Sequence, residues 1–122
     1  MASVRYTEKE REYIKSQHLA RIGTSSRKAD PDVAPVGFDF DGENFYVGGY
    51  DVTKTLKYKN TMENPKATLV IDDLVSVNPW KPRMLKVRGP TEIVDHKGYV
   101  GPGKYIRIKP VFKRSFGIDE KQ

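Results

Sequence analysis

Cysteine is absent from this 122-residue sequence, and histidine and tryptophan are scarce, with two and one respectively. Without cysteine there is no disulfide framework, no thiolate nucleophile and no Cys-based metal site, which makes a cytoplasmic location the economical expectation. His18 and His96 lie far apart, and Asp72 and Asp73 are neighbours whose side chains diverge in a strand, so neither pair supplies a metal-ligand set. No Ser-His-Asp order stands out. No window approaches the roughly 18 uninterrupted apolar residues of a membrane span, and the N-terminus lacks a basic-then-apolar signal segment. The residues nominate no catalytic side chain and no metal site. If the protein is an enzyme, a cofactor has to bring the reactivity.

What is present fits one globular domain, residues 1–122, with 37% hydrophobic and 31% charged residues. The 22 Lys and Arg outnumber the 16 Asp and Glu, and the resulting +6 on so short a chain predicts an anionic partner. Residues Ser3 to Gln17 read as a short opening helix, because Thr7 and Glu10 have the spacing of a capping box and Tyr13 and Ile14 supply part of an apolar face. From His18 onward the helical period gives way to short segments rich in Val, Ile, Phe and Tyr, punctuated by Gly, Pro, Asp and Asn.

These segments predict a mainly β fold of about six antiparallel strands, closed into a small barrel so that no long edge is left exposed. "HLARIGTSS" is the first strand. "DVAPVGFDFDGENFYVGG" reads as a hairpin in which Val36, Phe38 and Phe40 share a face and Asp41-Gly42 begins the turn. A helix from about Thr53 to Asn64, stopped by Pro65, separates the third strand from the fourth. "KATLVIDD", "RMLKVRGPTEIVD" bent at Gly89-Pro90, and "KYIRIKPVFKRSFGI" broken at Pro110 complete the set.

The start of the internal helix is the candidate site. A first helical turn presents N–H groups without intrahelical partners and the positive end of the helix dipole, so an oxyanion is stabilised there. Thr53 and Thr55 would add hydroxyl donors, and Lys54 and Lys57, three apart, would add charge. A lysine-bearing helix usually does no more than solvate itself. Here Gly48 and Gly49 just upstream allow a backbone to approach another molecule closely, which favours a phosphate cradle. Two further basic segments, "WKPRMLKVR" and "KYIRIKPVFKR", would put Lys86 and Arg88 on one strand face and Arg107 and Lys109 on another.

In their order and spacing, "HLARIGTSS", "VAPVGFDF", "FYVGGYDVTKTLKYKN", "ATLVIDD", "WKPRMLKVRGPTEIV" and "IRIKPVFKRSFGID" resemble the pyridoxamine 5′-phosphate oxidase-like split β-barrel superfamily. Within it the chain is similar to small F420-dependent enzymes of the flavin/deazaflavin oxidoreductase group. The resemblance covers about His18 to Asp119. It implies a homodimer of FMN-binding-like split barrels with FMN or coenzyme F420 in each interfacial groove, acting as an oxidoreductase on a small molecule. It also implies that Thr55 and Lys57 bind the cofactor phosphate, and that Ala34, Pro35, Val36 and Gly37, with Gly48 and Gly49, run along the ring. By the same resemblance Arg21 stands at a first-strand arginine, while Trp80, Arg83 and Arg88 match a segment facing the neighbouring subunit's cofactor. Leu56 stands where relatives often have arginine, a role Lys54 could take. Lys57 would bind rather than catalyse.

F420 carries a phosphodiester and an anionic, glutamate-bearing tail, so it gains from an extended positive track that FMN does not need. F420 is therefore the preferred cofactor, with FMN the alternative and a mere flavin binder a third option. A basic barrel could also hold single-stranded nucleic acid. Against this stand the aromatics Phe38, Phe40 and Phe45, which alternate as core residues, and the acidic run Asp30, Asp32, Asp39, Asp41, Glu43 and Asp51. The expectation is a small-molecule partner, with no nucleic acid and no membrane.

Overall fold

The computed structural model describes residues 4–118. Helix α1, Glu8–Ser16, begins at the expected capping box: the Thr7 hydroxyl accepts from the Glu10 N–H and the Glu10 carboxylate accepts from the Thr7 N–H, both at 3.0 Å. Tyr13 and Ile14 are the apolar face it buries. Ser3 lies outside the described residues.

Eight strands follow: β1 Ala20–Ser25, β2 Pro31–Val36, β3 Asp39–Phe40, β4 Phe45–Val47, β5 Lys66–Ser76, β6 Lys81–Gly98, β7 Gly101–Ile108 and β8 Phe112–Phe116. Every pairing is antiparallel. The mainly β, split-barrel class is as the sequence predicts, but about six strands become eight because two segments break. Pro110, which cannot donate to a ladder, divides the last one, as expected. Gly37 divides the second. There the chain leaves its ladder, and the Tyr99 ring lies so close that a Cβ on Gly37 would be 2.7 Å from it.

The anticipated long hairpin is therefore corrected. β2 pairs with β1, Val36 opposite Ala20, and only Asp39 and Phe40 of β3 fold back on β4. The hydrogen-bonded order is β2-β1-β5-β6-β7-β4-β3, with β8 beside β6. Its two ends, β2 and β3, are consecutive in the chain yet do not pair, so the expected closed barrel is instead split along the free edge of β2.

The long β6 serves both halves. Lys81–Pro90 pairs with β5 and Thr91–Gly98 with β7, and the change occurs at the predicted bend. At Gly89 a Cβ would stand 2.0 Å from the Lys109 carbonyl oxygen, so only glycine lets the two strands cross this closely. The core between the halves is built from Ile22, Leu69, Ile71, Leu85, Val87, Phe45, Val47, Ile106 and Ile108, all essentially inaccessible to solvent. Burying such side chains contributes roughly 1.5–3 kcal/mol each before the entropic cost of ordering them. The internal helix is shorter than expected: a 3-10 turn at Val52–Lys54 precedes α2, Leu56–Glu63, which ends at Asn64 before Pro65.

Candidate functional site

The start of α2 is set by two caps in series. The Asp51 carboxylate caps the 3-10 turn, accepting from the Thr53 N–H at 3.1 Å and from the Thr53 hydroxyl at 2.5 Å. The Thr55 hydroxyl donates to the Val52 carbonyl at 2.5 Å and accepts from the Tyr58 N–H at 3.3 Å. A threonine hydroxyl has one proton to give, so the donors expected of Thr53 and Thr55 are used within the chain. Thr55 shapes the cradle more than it lines it.

What remains open are the N–H groups of Leu56 and Lys57, the first two of α2, for which no partner exists among the described residues. Lys57 is half-buried and has no carboxylate within ion-pair distance. Burial pushes its ammonium below the ordinary lysine value, and the charge of Asp32 on β2 only partly counters this. A partly buried lysine in the same first helical turn as two free N–H groups is a favourable arrangement for an oxyanion. Lys54 contributes less, being 83% exposed at its side chain and 4.0 Å from Asp51.

β2 brings the ring-facing residues of the expectation alongside. Pro31 and Pro35 cannot donate, so Asp32, Ala34 and Val36 exchange hydrogen bonds with β1 while the backbone groups of Val33 and Pro35 turn to the free edge. Gly37 and Gly48 meet on one side chain. The Tyr99 hydroxyl accepts from the Gly48 N–H at 2.9 Å and donates to the Gly48 carbonyl at 3.0 Å, with Gly37 against its ring. Gly49, by contrast, faces open space. Tyr99 was not foreseen; its signal was an aromatic in the tight turn "KGYVG" with two glycines upstream that need a bulky neighbour.

Of the other expected residues, Arg21 stands directly opposite Pro35 of β2, and each of the rest has its own surroundings. Arg21 lies on the outer face of β1 and pairs with Asp72 at 3.7 Å. Arg83 is held by Asp73 through two hydrogen bonds of 3.0 and 2.6 Å and lies over the Tyr13 ring. Arg88 is stacked on Phe112, 4.3 Å from the ring centre. Trp80, in the turn before β6, is 68% exposed. Among the described residues, no three His, Asp or Glu are placed to hold a metal ion, and no helix is long and apolar enough to cross a membrane.

A family model described as pyridoxamine 5′-phosphate oxidase matches residues 6–108. The chain belongs to this family. Among curated proteins it is 26% identical over 120 residues to a 5a,11a-dehydrotetracycline/5a,11a-dehydrooxytetracycline reductase of Streptomyces rimosus, covering 93% of this chain and 84% of that one. Among solved structures it resembles a conserved hypothetical protein of Mycobacterium tuberculosis with TM-score 0.73, 18% identity and coverage of 98% and 89%. A structure described as an F420 reductase gives TM-score 0.62 and 22% identity, covering 80% of this chain and 89% of that one. The two structural likenesses speak for the fold. With the reductase relative, the family match makes oxidoreductase chemistry with a flavin-type cofactor the coarse functional class.

Proposed function

We propose that this protein of the pyridoxamine 5′-phosphate oxidase family is an F420-dependent oxidoreductase acting on a small organic substrate. The observation that carries the cofactor site is Lys57: a partly buried lysine with no ion-pair partner, in the helical turn that holds the free N–H groups of Leu56 and Lys57, and within the influence of Asp32 on the end strand β2. An anionic phosphate group fits this donor set. A flat heterocycle fits beside it, because the Val33 and Pro35 backbone groups can hydrogen-bond a ring edge and Gly49 leaves room for close approach. When bound, a deazaflavin supplies hydride transfer from its own ring.

The chain's part is then to bind and orient. Lys57 and the two N–H groups hold the phosphate, the β2 edge fixes the plane of the ring, and the Tyr99 bridge keeps the strand ends around Gly37 and Gly48 at constant separation. No side chain at this corner is a general acid or base for the step. Homodimerisation belongs to the same proposal, with Trp80, Arg83 and Arg88 facing the cofactor held by the second copy. The exposed Val33, Val77, Trp80 and Phe116 support such a contact.

FMN is the second reading, favoured by the family description and by the sufficiency of one phosphate cradle. Titration of purified protein with F420 and with FMN, followed by fluorescence, decides between them. The Lys57→Ala variant tests the site: a loss of affinity below about threefold, less than roughly 1 kcal/mol, would remove the cradle from the argument.

A further inference from the structure

The turn that carries Tyr99 is fastened from two sides. β6 and β7 meet in the two-residue turn Tyr99–Val100, with Gly98 paired to Gly101. On one side the Tyr105 hydroxyl accepts from the Gly98 and Val100 N–H groups, each at 3.2 Å, and donates to the Gly101 carbonyl at 2.6 Å. On the other, Oδ2 of Asp39 on β3 accepts from the Tyr99 N–H at 2.9 Å and stands 3.6 Å from Nε2 of His96. The carboxylate fits there only because residue 98 has no side chain, since a Cβ on Gly98 would overlap that oxygen.

His96 is held by its neighbours. Its ring is stacked on Tyr46 of β4, with centroids 4.0 Å apart and planes 9° from parallel, and it meets Tyr105 edge-on at 4.9 Å. At 3.6 Å its Nε2 is beyond ordinary hydrogen-bond length from Asp39, so charge is what draws the two together, and that charge exists only on the protonated ring. The titratable groups packed around it are Asp39 of β3, Tyr46 of β4 and Tyr105 of β7, with Tyr99 joined through Asp39 and Tyr105. Behind Tyr46 stand Asp41, which accepts from the Tyr46 hydroxyl at 2.8 Å, and Arg107, which is paired with Glu92. Val94 and Gly98, the residues two places to either side on β6, carry no charge. Asp39 is the one carboxylate within ion-pair distance of His96 among the described residues.

We propose that His96 and Asp39 are positioning residues for Tyr99, and through it for the gap between Gly37 and Gly48 at the rim of the candidate site, with protonation of His96 tightening the arrangement. The path is short. Asp39 holds the Tyr99 N–H, the Tyr99 hydroxyl holds both the N–H and the carbonyl of Gly48, and the ring lies against Gly37. A charged His96 keeps the Asp39 carboxylate seated against Gly98. As pH rises through the histidine range the ion pair is lost and Asp39 is free to turn toward water, so the frame is tightest on the acid side. Its consequence for cofactor binding rests on the function proposed above.

The frame is read without any cofactor, by amide NMR of the wild type, of His96→Phe, which keeps the stack on Tyr46 without a titrating charge, and of His96→Gln, which keeps a donor in place of the ring. In the wild type the Gly48 and Tyr99 amide signals should shift together with the His96 ring between about pH 5 and pH 8, and in both variants they should stay still over that range. F420 and FMN are then titrated across the same range. Dividing the wild-type affinity by that of His96→Phe at each pH cancels the cofactor's own titration. The ratio should fall about two- to fivefold from the acid to the alkaline end, the size of a partly exposed ion pair.

Gly48 and Tyr99 amides that stay still in the wild type, or that titrate equally in the two variants, overturn the proposal. Amides that titrate only in the wild type, with an affinity ratio that stays flat, reduce the pair to a fastening of the turn and overturn its positioning role. Amides that titrate only in the wild type, in a protein that binds neither F420 nor FMN, keep the pair as the frame of the gap and remove the cofactor reading instead.

Discussion

The Lys113 ammonium lies 2.6 Å from the Glu10 carboxylate beneath α1, although the two residues are 103 positions apart. Glu10 is almost wholly buried, and its other oxygen accepts from the Ser115 hydroxyl at 2.6 Å. The same carboxylate completes the capping box of α1, so one side chain starts the helix and fastens it to β8. Removing one partner of such a pair leaves an uncompensated buried charge, which typically costs about 3–5 kcal/mol. Lys113→Ala should therefore lower the melting temperature sharply, while Glu10→Leu/Lys113→Met, which leaves no lone charge, should recover most of the loss. Thermal unfolding of the three proteins measures this, and a double variant no more stable than Lys113→Ala would argue against the pairing.

The same contact gives stability a pH dependence. Burial alone would raise the Glu10 pKa, but hydrogen bonds from Lys113, Ser115 and the Thr7 N–H outweigh it and hold the carboxyl below its ordinary value. A carboxyl depressed in the folded state contributes stability that is fully present above its unfolded pKa, about 4.3, and is lost as pH falls through the folded value. Glu10→Gln should be less stable than the wild type at pH 7 and show a shallower decline under acid. Urea midpoints between pH 7 and pH 3 report the slope. Parallel curves for the two proteins would assign the acid sensitivity to other carboxylates, with Asp73 and Asp41 the candidates, since both are depressed as well.

Glycine substitutions separate packing from binding. A Cβ on Gly48 would stand 2.5 Å from the Tyr105 ring, which is 1% exposed and cannot withdraw. A Cβ on Gly37 meets the Tyr99 ring, which sits in a surface turn and can yield only by loosening its two hydrogen bonds to Gly48. Gly48→Ala should thus cost about 1–3 kcal/mol, Gly37→Ala less, and Gly49→Ala little, because nothing lies near it. If Gly49 is where a ring approaches the backbone, Gly49→Ala should weaken cofactor binding while leaving the unfolding midpoint unchanged. That pairing of results is what denaturant unfolding and cofactor titration would together reveal.

What was legible in the sequence was local. The Thr7/Glu10 capping box, the bend at Gly89-Pro90 and the breaks at Pro65 and Pro110 each depend on residues within a few positions. The split-barrel class was legible through the family resemblance, but the break at Gly37 was not, because Val36, Phe38 and Phe40 alternate as one strand would, and the Tyr99 ring that packs there lies 62 residues beyond Gly37. The same limit applies to the site. The spacing of Thr53, Lys54, Thr55 and Lys57 marks a helix start, but that Asp51 and Val52 claim the two hydroxyls depends on a 3-10 turn that no residue pattern announced. Likewise the expected roles of Arg21 and Arg83 compete with Asp72 and Asp73, whose side chains diverge as foreseen and are each paired with an arginine.

The sharpest consequence of the cradle concerns alkaline pH. An ammonium whose pKa is lowered by burial stays charged only up to a pH below the ordinary lysine value of about 10.4. If that ammonium holds the cofactor phosphate, affinity should fall as pH rises through the lowered value, before any exposed lysine titrates. Bound anion favours the charged form, so the pKa of Lys57 should be higher in the complex than in the free protein, and binding in the alkaline range should take up a proton. Lys57→Arg keeps the charge at every accessible pH and should flatten the alkaline limb even if its reach weakens binding at neutrality. Calorimetric titration in buffers of different ionisation enthalpy counts the proton directly. A proton uptake in the wild type that persists unchanged in Lys57→Arg would place the titrating group elsewhere and separate Lys57 from the phosphate.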